Sequence, residues 1–202
     1  MILYFDTETT GLCPGRIIQL SYIMQDEEKT TAKNFFFEVD YIEPSAVAVH
    51  GFTVEKLREL AQGKTFSYNL EEIDDDFRRA DLIVAHNAKF DIGFMIAEFC
   101  YVERQFRYNE CLDTMKFFTP YMKLMRAGGK GYKYPKLTEL EEYCGLYTYD
   151  VTMRTKDLFN VFLFSNHDAR YDTTAMFMAF NLKKEEIKEL EEIALKYLPK
   201  CG

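Results

Sequence analysis

Apolar positions in the first forty residues come in short, dense runs rich in Ile, Val, Phe and Tyr. Residues 2–5, 16–24 and 32–39 read as three strands, separated by the turn-forming stretches 11–15 (GLCPG) and 26–29 (DEEK). Neither connection is long enough for a crossover helix, so the three strands are expected to be antiparallel neighbours. From about Thr53 the apolar spacing becomes helical, over 53–60 and 69–79, with Thr53 and Asn69 in N-cap positions. Residues 82–85 (LIVA) are wholly apolar and read as a buried strand, after which Asn87 caps a helix running to about residue 103. Further helices are expected over 114–125, 137–144, 168–181 and 183–198. In the last of these, Ile187, Leu190, Ile193, Ala194 and Tyr197 form a stripe that is expected to pack on its own domain, the competing reading being a partner-docking surface. A strand meander followed by strands alternating with helices predicts an α/β domain with a mixed sheet. No internal repeat or long linker divides it.

Composition narrows the class. A chain of 202 residues is expected to fold as one domain, and 48% hydrophobic content with 16% aromatics excludes a disordered tail. No apolar stretch approaches the roughly 18 residues that span a bilayer, so no membrane role is expected. The MILYF start runs into Asp6 without a basic segment, unlike a signal peptide. Cys13, Cys100, Cys111, Cys144 and Cys201 are odd in number and scattered, with no C-x-x-C pair. A disulfide framework or zinc site is therefore not expected, and a reducing, cytoplasmic location is.

Three stretches hold candidate chemistry. In FDTETTGL (5–12), strand alternation projects Asp6 and Glu8 to one side. Two adjacent carboxylates repel unless a cation lies between them, and all-oxygen ligands suit Mg²⁺ or Mn²⁺. Two solvated acids at a strand end are the competing reading. In LIVAHNAKFD (82–91), an apolar strand exits into a loop and Asp91 falls in the first turn of the next helix. Such loops build ligand sites in α/β sheets, though an acid at a helix start is also favourable by itself. In NHDARYD (166–172), Asp172 lies among Ala169, Ala175, Met176 and Ala179 at helical spacing, on or beside an inward face. A carboxylate there is costly unless paired or metal-bound. His167 lies five residues earlier, about 140° around an ideal helix, so the two converge only if His167 precedes the helix.

Taken together, FDTETTGL (5–12), VHGFT (49–53), AHNAKFDIGFM (85–95) and HDARYD (167–172) make the chain resemble the DEDDh 3′–5′ exonuclease superfamily, and within it the epsilon proofreading subunits of bacterial DNA polymerase III. The histidine branch fits because His167 precedes Asp172 by five, whereas the tyrosine branch would want Tyr at position 168. The resemblance implies a ribonuclease H-like α/β fold. Its mixed five-stranded sheet, three antiparallel strands followed by parallel ones, would be flanked by helices.

It also implies a two-metal phosphodiesterase using two Mg²⁺ or Mn²⁺ ions. Asp6, Glu8, Asp91 and Asp172 would hold the metals, and His167 would act as general base near neutral pH. Thr7, Thr9, Thr10, Gly11 and Leu12 are carried over as substrate contacts. His86, Asn87 and Phe90 join them, with His86 and Asn87 organising the loop around Asp91 and not ligating metal. The implied substrate is nucleic acid with a free 3′ end, DNA ahead of RNA. The protein would be either a free-standing nuclease or a DNA polymerase subunit.

Two features depart from the family pattern. Asp168 sets an extra acid beside the proposed base, where it either shifts the histidine or caps the helix; the cap is the favoured reading. Residues 126–136 (RAGGKGYKYPK) have no clear counterpart. They are not a phosphate-binding P-loop, because Gly131 follows Lys130 where Ser or Thr is required. The segment reads either as a solvated loop or as a strand clamp in which Lys130 and Lys133 meet phosphates.

Three alternatives compete. RNA trimming is the nearest. A haloacid-dehalogenase-type phosphatase would want Asp at position 8 and has no use for the His167 motif. A noncatalytic nucleic-acid-binding subunit conflicts with the presence of all four acids and the histidine. The net charge of -8 opposes unaided polyanion binding. Residues 104–136, however, carry eight basic side chains against Glu110 and Asp113. Weak binding without metal, steep in salt and centred on that segment, is the expectation.

Overall fold

The computed structural model describes residues 1–12, 15–164 and 167–198. Strands β1 (Ile2–Thr9), β2 (Ile17–Gln25) and β3 (Thr30–Phe36) form the expected antiparallel meander. Helices α1 (Pro44–His50) and α2 (Val54–Ala61), a 3₁₀ turn (Phe66–Asn69) and α3 (Leu70–Arg79) follow. Then β4 (Leu82–Ala85), α4 (Ala88–Tyr101), β5 (Glu110–Asp113) and α5 (Thr114–Met122) complete the sheet. Its order is β3-β2-β1-β4-β5, with β4 parallel to both β1 and β5. The chain closes with α6 (Leu137–Cys144), α7 (Thr148–Phe159), α8 (Ala169–Lys183) and α9 (Lys188–Tyr197). The mixed five-stranded sheet matches the sequence expectation.

Alternation along β1 builds a core on each face. Leu3 and Phe5 pack with Phe77 of α3 and with Met95 and Phe99 of α4. Ile2 and Tyr4 pack against Phe118 of α5 and against Met176 and Phe180 of α8. The Tyr4 ring meets Phe177 and Phe180 edge-on, with centroids 5.3 and 5.5 Å apart. Leu190, Ala194 and Tyr197 of α9 join this second core, so the last helix does pack on its own domain.

Several boundaries differ from expectation for physical reasons. β1 does not stop at Phe5 but pairs with β2 as far as Thr9, carrying its acids on a continuous strand with an irregularity between Glu8 and Thr9. α5 ends at Met122: Lys123 takes φ 52°, and Met125 bridges to Tyr132 instead. α1, β5 and α7 were not anticipated. The inward positions of α7 are Val151 and Thr155, so its core-facing stripe is half polar. Of the two expected caps, the Thr53 side chain accepts from Lys56 N at 3.2 Å, while Asn69 makes no side-chain cap. Asn87 stands at the N-cap of α4 in the left-handed region, φ 69°, also without a side-chain bond. Among the described residues, no helix is long and apolar enough to cross a membrane.

Candidate active site

The alternation that divides the core also sorts the acids at the end of β1. Asp6 and Glu8 share the face of Tyr4, which looks toward α8, and meet Asp172 from the first turn of that helix. Carboxylate oxygens of Asp6, Glu8 and Asp172 lie within 4.8 Å of one another. Thr7 points to the opposite face, toward α4. Its backbone N and its hydroxyl both donate to Asp91 Oδ1, at 3.1 and 2.7 Å. Thr7, grouped above with the substrate contacts, is thus buried and positions Asp91. Asp91 stands beside the trio and raises the pKa of Asp6 by its charge.

Burial and mutual repulsion make this cluster reluctant to ionise. Burial, then Asp91, Asp172 and Glu8, hold the Asp6 carboxyl well above the usual range. Burial and Asp172 push Glu8 up to about 9. Asp172 rises to about 7 through burial, Glu141 and Asp168. Asp91 also rises to about 7 from burial, although the bonds from Thr7 oppose it. A divalent cation would relieve both the desolvation and the repulsion, and an all-carboxylate donor set fits a hard ion. The residues present therefore fit a divalent metal, held by Asp6, Glu8 and Asp172 with Asp91 in support.

The start of α8 is fixed by a buried polar network. Asp168 is its N-cap and accepts from Arg170 N at 3.0 Å. The Arg170 side chain also closes on it through Nε at 2.8 Å and Nη2 at 2.6 Å. Gln19 of β2, directly opposite Glu8 in the sheet register, donates to Asp168 Oδ1 at 2.8 Å and accepts from Ala169 N at 3.2 Å. The extra acid is thus a helix cap that is ion-paired with arginine. His167 lies just before the helix with φ 53°, a left-handed backbone that presents its exposed ring beside the helix start. His167 and Asp172 line one cleft of about 970 Å³, walled by Glu141, Tyr147 and Tyr171. Asn166, quoted in the same motif, lies outside the described residues.

A second, mostly apolar cleft of about 580 Å³ adjoins the β1–β2 connection and is lined by Leu12, Asn87, Phe90, Phe94 and Tyr101. Of the expected substrate contacts, Leu12 (74% exposed), Asn87 and Phe90 face it. Thr9 and Thr10 are buried and serve the loop itself. The Thr9 hydroxyl donates to Gly11 O at 2.8 Å, and Thr10 Oγ1 accepts from Arg16 N at 2.9 Å. The half-buried His86 donates from Nε2 to Pro135 O at 3.0 Å, with Nδ1 3.0 Å from Thr114 Oγ1. It ties the loop after β4 to the segment before α6. Lys130 is exposed at the tip of that segment, and Lys133 is ion-paired with Glu139.

Three supporting residues escaped the sequence reading. Gln19 is fully buried in an apolar strand, and a polar side chain in that setting is the signal that could have found it. Glu98, buried on α4, receives Arg16 Nε and Nη2 at 2.9 and 2.8 Å and Ile17 N at 2.8 Å, anchoring the end of the β1–β2 connection. His50, within the quoted VHGFT stretch, accepts from Phe52 N at Nδ1 and donates from Nε2 to Thr9 O. The bond from Phe52 N requires the neutral ring, and burial lowers its pKa in the same sense, although the bond to Thr9 O opposes it.

A sequence profile described as exonuclease, RNase_T, matches residues 3–180. The chain belongs to this exonuclease family. Within the DEDDh 3′–5′ exonucleases it is 30% identical over 163 residues to the DNA polymerase III subunit epsilon of Escherichia coli strain K12, across 76% of this chain and 63% of that one. The subunit epsilon of Pasteurella multocida is 28% identical over the same length, with 60% of its chain covered. The exonuclease chain thus spans somewhat under two thirds of these relatives. Among solved structures, E. coli Exonuclease I in complex with a dT13 oligonucleotide superposes with a TM-score of 0.72 at 20% identity, over 96% of this chain and 43% of that one. That likeness establishes the ribonuclease H-like fold of this exonuclease domain.

Proposed function

We propose that the protein is a cytoplasmic, metal-dependent nuclease that removes nucleoside 5′-monophosphates from the 3′ end of single-stranded or frayed DNA. The observation that carries this reading is the convergence of Asp6, Glu8 and Asp172, with Asp91 beside them and His167 in the same cleft as Asp172. Two Mg²⁺ or Mn²⁺ ions would supply charge stabilisation for the attacking and leaving oxygens of an in-line displacement. The chain's own contribution is placement. β1 sets Asp6 and Glu8 side by side, and α8, clamped by Gln19, brings Asp172 to meet them. His167 takes a proton from the attacking water, which adds to phosphorus as the bond to the 3′ oxygen of the preceding nucleotide breaks. The apolar cleft of Leu12 and Phe90 receives the terminal base, with Asn87 at its edge.

Identity to the epsilon subunits supports a place beside a DNA polymerase. The deciding experiment follows 3′-labelled DNA and RNA oligonucleotides of one sequence with Mg²⁺ or Mn²⁺ added and then chelated. The expected result is stepwise release of deoxynucleoside 5′-monophosphates, faster than ribonucleotides and stopped by chelation. Faster trimming of RNA would reassign the substrate, and turnover with chelator present would overturn the metal-dependent reading. Co-purification with a polymerase tests the partner.

A further inference from the structure

Between α5 and α6 the chain leaves the domain surface as a short hairpin. Lys133 N donates to Leu124 O at 2.8 Å and Arg126 N to Gly131 O at 3.1 Å, while Met125 bridges to Tyr132. The tip, Gly128-Gly129-Lys130-Gly131, turns through φ of +96°, +75° and +75° at its three glycines, values that L side chains rarely adopt. Residues 123–136 hold five basic side chains and no acidic one, in a protein whose net charge is -8.

The base of the hairpin is anchored rather than free. Lys133 is ion-paired with Glu139, and Glu139 also accepts from Lys136 N at 2.8 Å. Pro135 is buried, and its carbonyl receives Nε2 of His86, from the loop that leads into Asp91. Arg126 Nε folds back onto Tyr132 O at 2.9 Å. What projects outward is Lys130 at the tip and the exposed side chains of Met125, Tyr132 and Tyr134. The cleft that contains His167 and Asp172 reaches the foot of the hairpin at Lys136.

Cations for phosphates beside aromatic faces for bases are the two elements of a sequence-tolerant single-strand surface. From this we infer that the hairpin is a clamp for single-stranded nucleic acid, gripping the strand on the 5′ side of the bond to be cut. Lys130 and Arg126 meet backbone phosphates, and Tyr132 and Tyr134 offer stacking faces. Lys133 is the staple that holds the hairpin in place. Charge complementarity fixes the occupant as a polyanion, and continuity with the catalytic cleft fixes it as the same strand. This inference rests on the exonuclease reading for the strand's direction only.

The test uses the full chain with Mg²⁺ and two probes. One is a twelve-nucleotide oligothymidylate, 5′-labelled, with a cleavage-resistant phosphorothioate at its 3′-terminal linkage. The other is the p-nitrophenyl ester of thymidine 5′-monophosphate, too short to reach the hairpin. Lys130→Glu, and separately Arg126→Ala/Lys130→Ala/Tyr132→Ala, should weaken oligothymidylate binding about tenfold or more and flatten its salt dependence. Ester turnover should match the wild type, and Lys130→Arg should restore binding. Wild-type binding by both weakened variants would overturn the clamp, as would equal losses on both probes. Were the wild type to hydrolyse neither the ester nor an unmodified oligothymidylate, the exonuclease reading would fail, while the binding comparison would still decide the clamp.

Discussion

Gln19 and Asp168 join the start of β2 to the N-cap of α8 through a buried hydrogen bond of 2.8 Å. Because Gln19 faces Glu8 across the sheet, this bond sets how far Asp172 and His167 lie from the carboxylates of β1. Gln19→Leu leaves Asp168 and Ala169 N short of partners. The expected stability loss is about 1–3 kcal/mol. A fall in kcat of roughly tenfold or more should accompany it, since small misplacements of reacting groups are costly. Denaturant unfolding and steady-state kinetics on one preparation check both effects.

Thr7→Val removes the hydroxyl that donates to Asp91 while keeping the backbone bond. That hydrogen bond lowers the Asp91 pKa, so its loss moves the carboxyl above about 7. The acid limb of the pH–rate profile should shift to higher pH. The metal concentration for half-maximal activity should rise about tenfold to a hundredfold, as for other groups that orient a ligand. Titrating activity with Mn²⁺ at two pH values measures both.

Stability should depend on pH and metal together. Asp6, Glu8, Asp91 and Asp172 all have pKa values raised in the fold, so between about pH 4 and each raised value the native state holds more protons than the unfolded chain. Stability of the metal-free protein is therefore greatest at low pH in this window, and it is lost as pH climbs toward about 9. Mg²⁺ or Mn²⁺ should raise Tm by several degrees or more at pH 8, and by less at pH 5. Asp6→Asn should raise the metal-free Tm at pH 8 and remove most of the metal response. Thermal scans across pH, with chelator and with metal, give the answer.

Leu12 is 74% exposed and lines the cleft with Phe90, so it owes little to the fold. Leu12→Ala should leave Tm unchanged and raise KM for a short oligonucleotide about tenfold, the cost of losing roughly 1.5 kcal/mol of apolar contact. Kinetics beside a melting curve separate that outcome from misfolding.

Much of this was legible in the residues. The meander and the buried LIVA strand followed from period and turn chemistry, and the alternation of β1 placed Asp6 and Glu8 together. Alternation also sends Thr7 to the other face, where it meets Asp91, a consequence that motif transfer concealed. α7 stayed hidden because Thr155 occupies a core position and Tyr147, Tyr149 and Met153 are exposed around it. β5 was hidden because ECLD is short and half exposed, lying at the sheet edge. Gln19, Glu98 and His50 act through partners far away in sequence, across 149, 82 and 41 residues, and no local pattern encodes such pairs.

If the proposed function holds, Asp6, Asp172 and His167 serve one reaction at one 3′ end. The most direct measurement follows nucleotide release from a 3′-labelled single-stranded DNA oligonucleotide by the wild type, Asp6→Ala, Asp172→Asn and His167→Ala, each shown to be folded. The expected result is metal-dependent mononucleotide release by the wild type, and a loss of about a hundredfold or more in every variant. Full activity in the His167 and Asp6 variants, or release from the 5′ end, would contradict it.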